Sequence, residues 1–136
     1  MVSIHPSIGR GCLALVATFV VACASSDAPV AEGSWGGQSA SLVLERGGGV
    51  LGYSCGSGTM DATWTVSADG HLTGTGQHFF GGGPLPSGGR PPHPATYAGN
   101  IDGRVLVLTV TLTDLKQTLG PFTMVRGGPP VQEICL

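Results

Sequence analysis

Between Arg104 and Thr113 the chain alternates without a break: Leu106, Leu108, Val110 and Leu112 fall on one face, Val105, Val107, Thr109 and Thr111 on the other. A period of two is the side-chain pitch of a strand, and β-branched residues suit a pleated surface. The same period places Ala40, Leu42 and Leu44 on one face of a second segment, and Ala62, Trp64 and Val66 on one face of a third. No segment carries a helical face; a single turn over Asp114 to Leu119 is the one helix candidate. The chain therefore reads as all-β, with Arg104 to Thr113 as a central strand because both of its faces are apolar or β-branched.

Turn chemistry divides the strands. Asp69-Gly70 and Asp102-Gly103 each separate alternating runs, and Asp-Gly suits the positive φ angles of a type I′ hairpin. They predict pairing of Ala62 to Val66 with Leu72 to Phe80, and of Ala95 to Ile101 with Arg104 to Leu112. Gly47-Gly48-Gly49 predicts a looser turn between Leu42 to Arg46 and Val50 to Cys55, and Phe122 to Arg126 adds a strand. About seven to eight short strands in a chain with 24 glycines point to a small antiparallel β-barrel or curled sandwich, closed enough to hide its edges.

The front of the chain has another character. Arg10 is the one cation before an apolar run, Leu13 to Val21, that only Thr18 interrupts, and small residues follow. That is the layout of an export signal, and the run is short of the roughly 20 residues that span a bilayer. Val20-Val21-Ala22-Cys23 resembles the lipobox of bacterial lipoproteins. The resemblance implies that residues 1–22 are removed, that Cys23 becomes the first residue and carries a diacylglycerol and an N-acyl chain, and that these anchor the protein stably. The alternative is an ordinary secretory signal cleaved at Ala22-Cys23-Ala24, with no lipid. Ala24, where an aspartate is associated with inner-membrane retention, implies the outer membrane of a two-membrane bacterium. Residues 23–32, small and polar, read as a flexible tether, and residues 33–136 as the domain.

Processing of this kind discards Cys12 and commits Cys23 to lipid, leaving Cys55 and Cys135. An even pair in an exported protein reads as a disulfide. It would close a loop of about 80 residues, for which chain entropy gives on the order of 4 kcal/mol as an upper guide. Metal binding by the two thiolates is the alternative, and neither has neighbouring ligands in sequence. Without Arg10, five cations face eight carboxylates, a net charge of minus three. No basic patch is present, so nucleic acid is not an expected partner.

Motifs that resemble chemistry lack their context. Gly52-Tyr53-Ser54-Cys55-Gly56 fits G-x-S-x-G, and Gly47 to Gly52 fits G-x-G-x-x-G, but neither is followed by the helix its chemistry requires. His71, His78 and His93 show no zinc-ligand spacing, although His78 and His93 flank one loop and can meet as a surface pair. The carboxylates are scattered over turns. Catalysis, a metal and a cofactor are therefore not expected. The longest irregular stretch, Gly81 to Pro94, holds five prolines and five glycines, so neither strand nor helix suits it. It reads as a mobile loop, or as a binding loop with Arg90 and His93 as its polar contacts.

Gly33-Ser34-Trp35-Gly36-Gly37, Tyr53-Ser54-Cys55, Gly81-Gly82-Gly83-Pro84, Tyr97 to Gly103 and Ile134-Cys135 make the domain similar to a loose set of uncharacterised small bacterial lipoproteins. That likeness implies a fold and a disulfide but no activity. Gly33-Ser34-Trp35 also resembles the first strand of lipocalin-like and avidin-like barrels, which implies a small apolar ligand, or a protein partner, bound at the open end. Tyr53 to Gly58 with a C-terminal cysteine resembles the frame of the membrane-bound inhibitors of c-type lysozyme, implying an enzyme inhibitor as a second reading. A structural component of the envelope is the third.

Overall fold

In the computed structural model, residues 28–53, 55–81, 84–85 and 87–131 are described. Among these residues nine strands follow one another: β1 (Gly33–Gly36), β2 (Ala40–Glu45), β3 (Gly48–Tyr53), β4 (Gly56–Met60), β5 (Thr65–Val66), β6 (His71–Phe80), β7 (His93–Asp102), β8 (Val105–Leu112) and β9 (Gln117–Arg126). Every pairing is antiparallel, in the order β4-β3-β2-β1-β9-β8-β7-β6-β5, and β4 also pairs with β6. That last ladder, Gly56 to Met60 against Phe80 to Gly76, closes eight strands into a barrel. β5 lies end to end with β4 on the same edge of β6, through Thr65 with Thr73 and Val66 with Leu72. Closure removes the unpaired edges that an open sheet of this length would expose.

Alternation fills the barrel. Trp35, Leu42, Leu44, Leu51, Leu72, Tyr97, Leu106, Leu108, Leu112 and Met124 are fully buried. An eight-stranded barrel is just wide enough for such side chains to meet across its axis. Glycines make room where the rings are largest: a Cβ on Gly58 would come within 2.5 Å of the Tyr97 hydroxyl, which donates to the Gln77 carbonyl at 3.0 Å. Burial, and then the charge of Asp61, push the Tyr97 phenol up to about 12. At Gly76 a Cβ would be driven into the Thr59 carbonyl, so the closing ladder needs a glycine there.

Several sequence expectations are corrected. Arg104–Thr113 is not buried on both faces: Val105 and Val107 face outward and are exposed, since a closed barrel has one interior. Asp102 pairs with Val105, so the turn residues are Gly103 and Arg104. Only Gly103 of the two has positive φ, which is the pattern of a type II′ turn rather than I′. Glu45 pairs with Gly48, so Arg46-Gly47 is a tight turn and the remaining glycines enter β3. Ala62–Trp64 is not a strand. Trp64 N bonds the Asp61 carbonyl, and the indole N–H donates to Glu45 at 2.8 Å. Asp114–Leu119 is not helical either, because Lys116 takes a positive φ and β9 starts at Gln117. Cys55 lies in the turn between β3 and β4 rather than in a strand. Cys12, Cys23 and Cys135 lie outside the described residues.

Arg126 organises the end where β1 begins. Its guanidinium stacks over the Trp35 ring at 4.3 Å and donates to the carbonyls of Glu32, at 2.8 Å, and of Val30. Trp35 Nε1 donates to the Ala31 carbonyl at 2.9 Å, which buries Ala31, and Glu32 faces Arg46 of the β2–β3 turn at 3.5 Å. The β3–β4 turn, the β6–β7 loop and the β8–β9 turn all lie at the other end.

Candidate functional site

At that other end the inward positions of β3, β4, β6 and β9 carry Tyr53, Gly56, His78, Phe80 and Phe122. Here the filling stops. A cavity of about 170 Å³ opens in the barrel mouth, lined by Tyr53, Cys55, His78, Phe80, Leu119, Gly120 and Phe122. Barrel mouths with mostly apolar walls and a few converging polar groups are common ligand sites. The wider depressions on the surface, such as the one over Gly47 to Val50, have no comparable aromatic lining.

Each wall follows from local structure. Tyr53 is the last inward residue of β3, and its ring stacks on Phe122 with centroids 5.2 Å apart. Phe122 turns inward beyond a bulge in β9: Leu108 faces Phe122 and Val110 faces Leu119, so β9 holds one extra residue at Gly120-Pro121. Gly56 supplies no side chain; a Cβ there would sit 2.8 Å from the Tyr53 ring and 3.1 Å from His78 Cε1. Phe80 stands at the rim, edge-on to His78 at 4.4 Å and to His93 at 5.2 Å.

His78 is the polar group of the cavity and is 1 % exposed. Its ring lies parallel to Tyr53, and the Tyr53 hydroxyl bonds His78 Nδ1. His78 Nε2 has no hydrogen-bond partner among the described residues. Burial, and secondarily the proximity of His93, lower the His78 pKa from its ordinary value, so the ring is neutral at pH 7. Burial first, then Tyr97, raises the Tyr53 phenol well above its ordinary value, so it stays protonated.

Of the residues singled out in the sequence, His93 reaches the rim. It pairs in register with His78, so the two histidines do meet, although His78 is buried and not part of a surface pair. His93 Nδ1 bonds Asp114 Oδ2 at 2.7 Å, tying β7 to the β8–β9 turn, and this bond holds the Asp114 carboxyl below its ordinary pKa. Arg90 folds its guanidinium back onto its own loop, donating to the Phe80 carbonyl at 3.0 Å and the Pro84 carbonyl at 3.3 Å. Arg90 and His93 thus brace the mouth and neither lines the cavity. The loop itself is shorter than expected, since β6 runs to Phe80 and β7 starts at His93. Sequence reasoning missed Tyr53 and Phe122. The phase Gly49, Leu51, Tyr53 was the available signal for the first, and the phase Phe122, Met124 for the second, since the bulge lies before both.

The two motif matches are resolved by the same geometry. Gly52 to Gly56 is a hairpin of the barrel wall and Gly47 to Gly52 a turn entering β3, with no helix after either. Among the described residues no three His, Cys, Asp or Glu side chains are grouped to hold a metal ion.

No family model, curated protein or solved structure matches this chain. The barrel and its mouth are therefore the ground for reading function.

Proposed function

We propose that the chain is a lipid-anchored protein of the bacterial envelope whose non-catalytic β-barrel binds a small apolar ligand in its mouth. The cavity between Tyr53, Phe80, Leu119 and Phe122 carries this reading. Its size narrows the ligand. Lipocalin-like barrels hold a ligand along their axis, whereas here the axis is filled by buried leucines and Tyr97. Engineered apolar cavities of about 150 Å³ take up benzene, so the mouth suits a single ring and not a long acyl chain.

The anchor is read from Val20 to Cys23, with residues 1–22 removed, lipid on Cys23 and the outer membrane as the address. A bridge between Cys55 and Cys135 belongs to the same reading of an exported domain. Its support is that Cys55 is disulfide-bonded and that the chain beyond β9 turns back over Gly36, toward the mouth end.

Two measurements test the proposal. Intact mass of protein extracted from bacterial membranes should correspond to a chain starting at Cys23 with added acyl groups; a mass for the uncut chain would remove the anchor. Titration with single-ring aromatic compounds, followed by NMR, should give saturable shifts at Tyr53, Phe80 and Phe122. An unchanged spectrum across that set would remove the binding role.

A further inference from the structure

We propose that the mouth selects a neutral single-ring aromatic molecule bearing one acceptor oxygen, which takes the hydrogen of His78 Nε2. The inference rests on the binding role above and specifies its ligand class.

The tautomer decides what His78 offers. A phenol is a stronger donor than acceptor, and an imidazole nitrogen accepts better than a phenolic oxygen, so Tyr53 donates to Nδ1. The hydrogen of a neutral His78 is then on Nε2. This N–H is buried, meets no acceptor among the described residues, and belongs to a side chain that lines the cavity. Nearly all buried donors in folded proteins are satisfied, so an unmatched one on a side chain that lines a cavity marks where a ligand atom belongs.

The surroundings fix the rest of the ligand. Tyr53 and Phe122, stacked on each other, form one aromatic wall, Phe80 stands at the rim and Leu119 gives an aliphatic side. An aromatic ring packs edge-to-face or offset against such a lining. A carboxylate does not, because a desolvated anion needs a cation or several donors, and the cavity lining holds no Lys or Arg. An alkylbenzene fits the walls but leaves the Nε2 hydrogen stranded, and a stranded donor is what lets a site reject an isostere.

The test compares anisole with ethylbenzene, which differ by an ether oxygen in place of a methylene, on the full chain at pH 7.5. Calorimetry should show anisole binding roughly tenfold tighter or more. Long-range ¹H–¹⁵N NMR should place the His78 hydrogen on Nε2 and shift it on binding. His78→Leu should equalise the two ligands; the wild-type comparison stands alone if that variant does not fold. Equal affinities in the wild type, with shifts at Phe122, would overturn the selection by His78 and leave the binding role intact. A hydrogen found on Nδ1 would overturn it as well. Binding of neither compound, with Nε2 exchanging only with solvent, would overturn both.

Discussion

Tyr53→Phe removes one oxygen from the mouth and should destabilise the barrel far more than its size suggests. The ring keeps its stacking on Phe122, so little packing is lost. What disappears is the donor to His78 Nδ1, and His78 is 1 % exposed. A buried polar group left without its partner costs about 1–3 kcal/mol, more than the net worth of the hydrogen bond itself. With a urea m-value of 1–3 kcal/mol/M, usual for small domains, the unfolding midpoint should drop by roughly 1 M with m unchanged.

A second variant isolates the cause. Replacing both partners with apolar groups strands nothing, so Tyr53→Phe with His78→Leu should cost less than the two single changes added together. Urea unfolding followed by tryptophan fluorescence reads all four proteins, because Trp35 is buried at the far end of the barrel and reports global unfolding without touching the mouth. A Tyr53→Phe midpoint equal to wild type would refute the reasoning, as would strict additivity in the double variant.

Three more expectations follow from the same packing. Since the His78 pKa is lowered in the fold, the unfolded chain takes up the proton first; the neutral ring's contribution is complete above the ordinary value of 6.5 and is lost as pH falls below it. Urea midpoints from pH 8 to pH 5 should decline more in wild type than in His78→Leu, and parallel curves would contradict this. Gly76→Ala drives a methyl group into the Thr59 carbonyl and should open the β4–β6 ladder, seen as faster hydrogen exchange at Thr59 and Met60 than at the β7–β8 amides. Leu108→Ala, at a position with no exposed surface, should cost about 2–5 kcal/mol in the same urea assay.

The strands that sequence periodicity located best are those whose inward and outward residues differ in kind. In β8, Leu106 to Leu112 alternates over the whole strand, and of its two apolar faces the one with Leu106, Leu108, Val110 and Leu112 is the one the barrel buries. Where hydrogen bonding overrides pattern, the reading slips: Trp64 continues an apparent alternation, yet its indole leaves to bond Glu45 and the backbone turns at Asp61. Asp-Gly pairs located two turns but not their type, because type depends on which residue takes positive φ, and Asp102 is drawn into the ladder by Val105. The mouth was legible in part. His78 and His93 flank one loop, so sequence proximity announces their meeting. Tyr53 and Phe122 lie far apart in the chain and join only when the ring of strands closes, which no local pattern encodes.

Arg126 has a bearing on how the domain would stand on a membrane. It pins Val30 and Glu32 at the end of the barrel away from the cavity, so a lipid on Cys23 would pull on that end. Six residues separate Cys23 from Val30 in the sequence, and a chain of that length spans at most about 20 Å. That is comparable to the length of one strand of the barrel. Under the proposed anchor, so short a link would keep the end that carries Glu32 nearer the membrane than the mouth. The aromatic mouth would face the aqueous compartment, and its ligand would arrive from solution instead of passing sideways out of the bilayer.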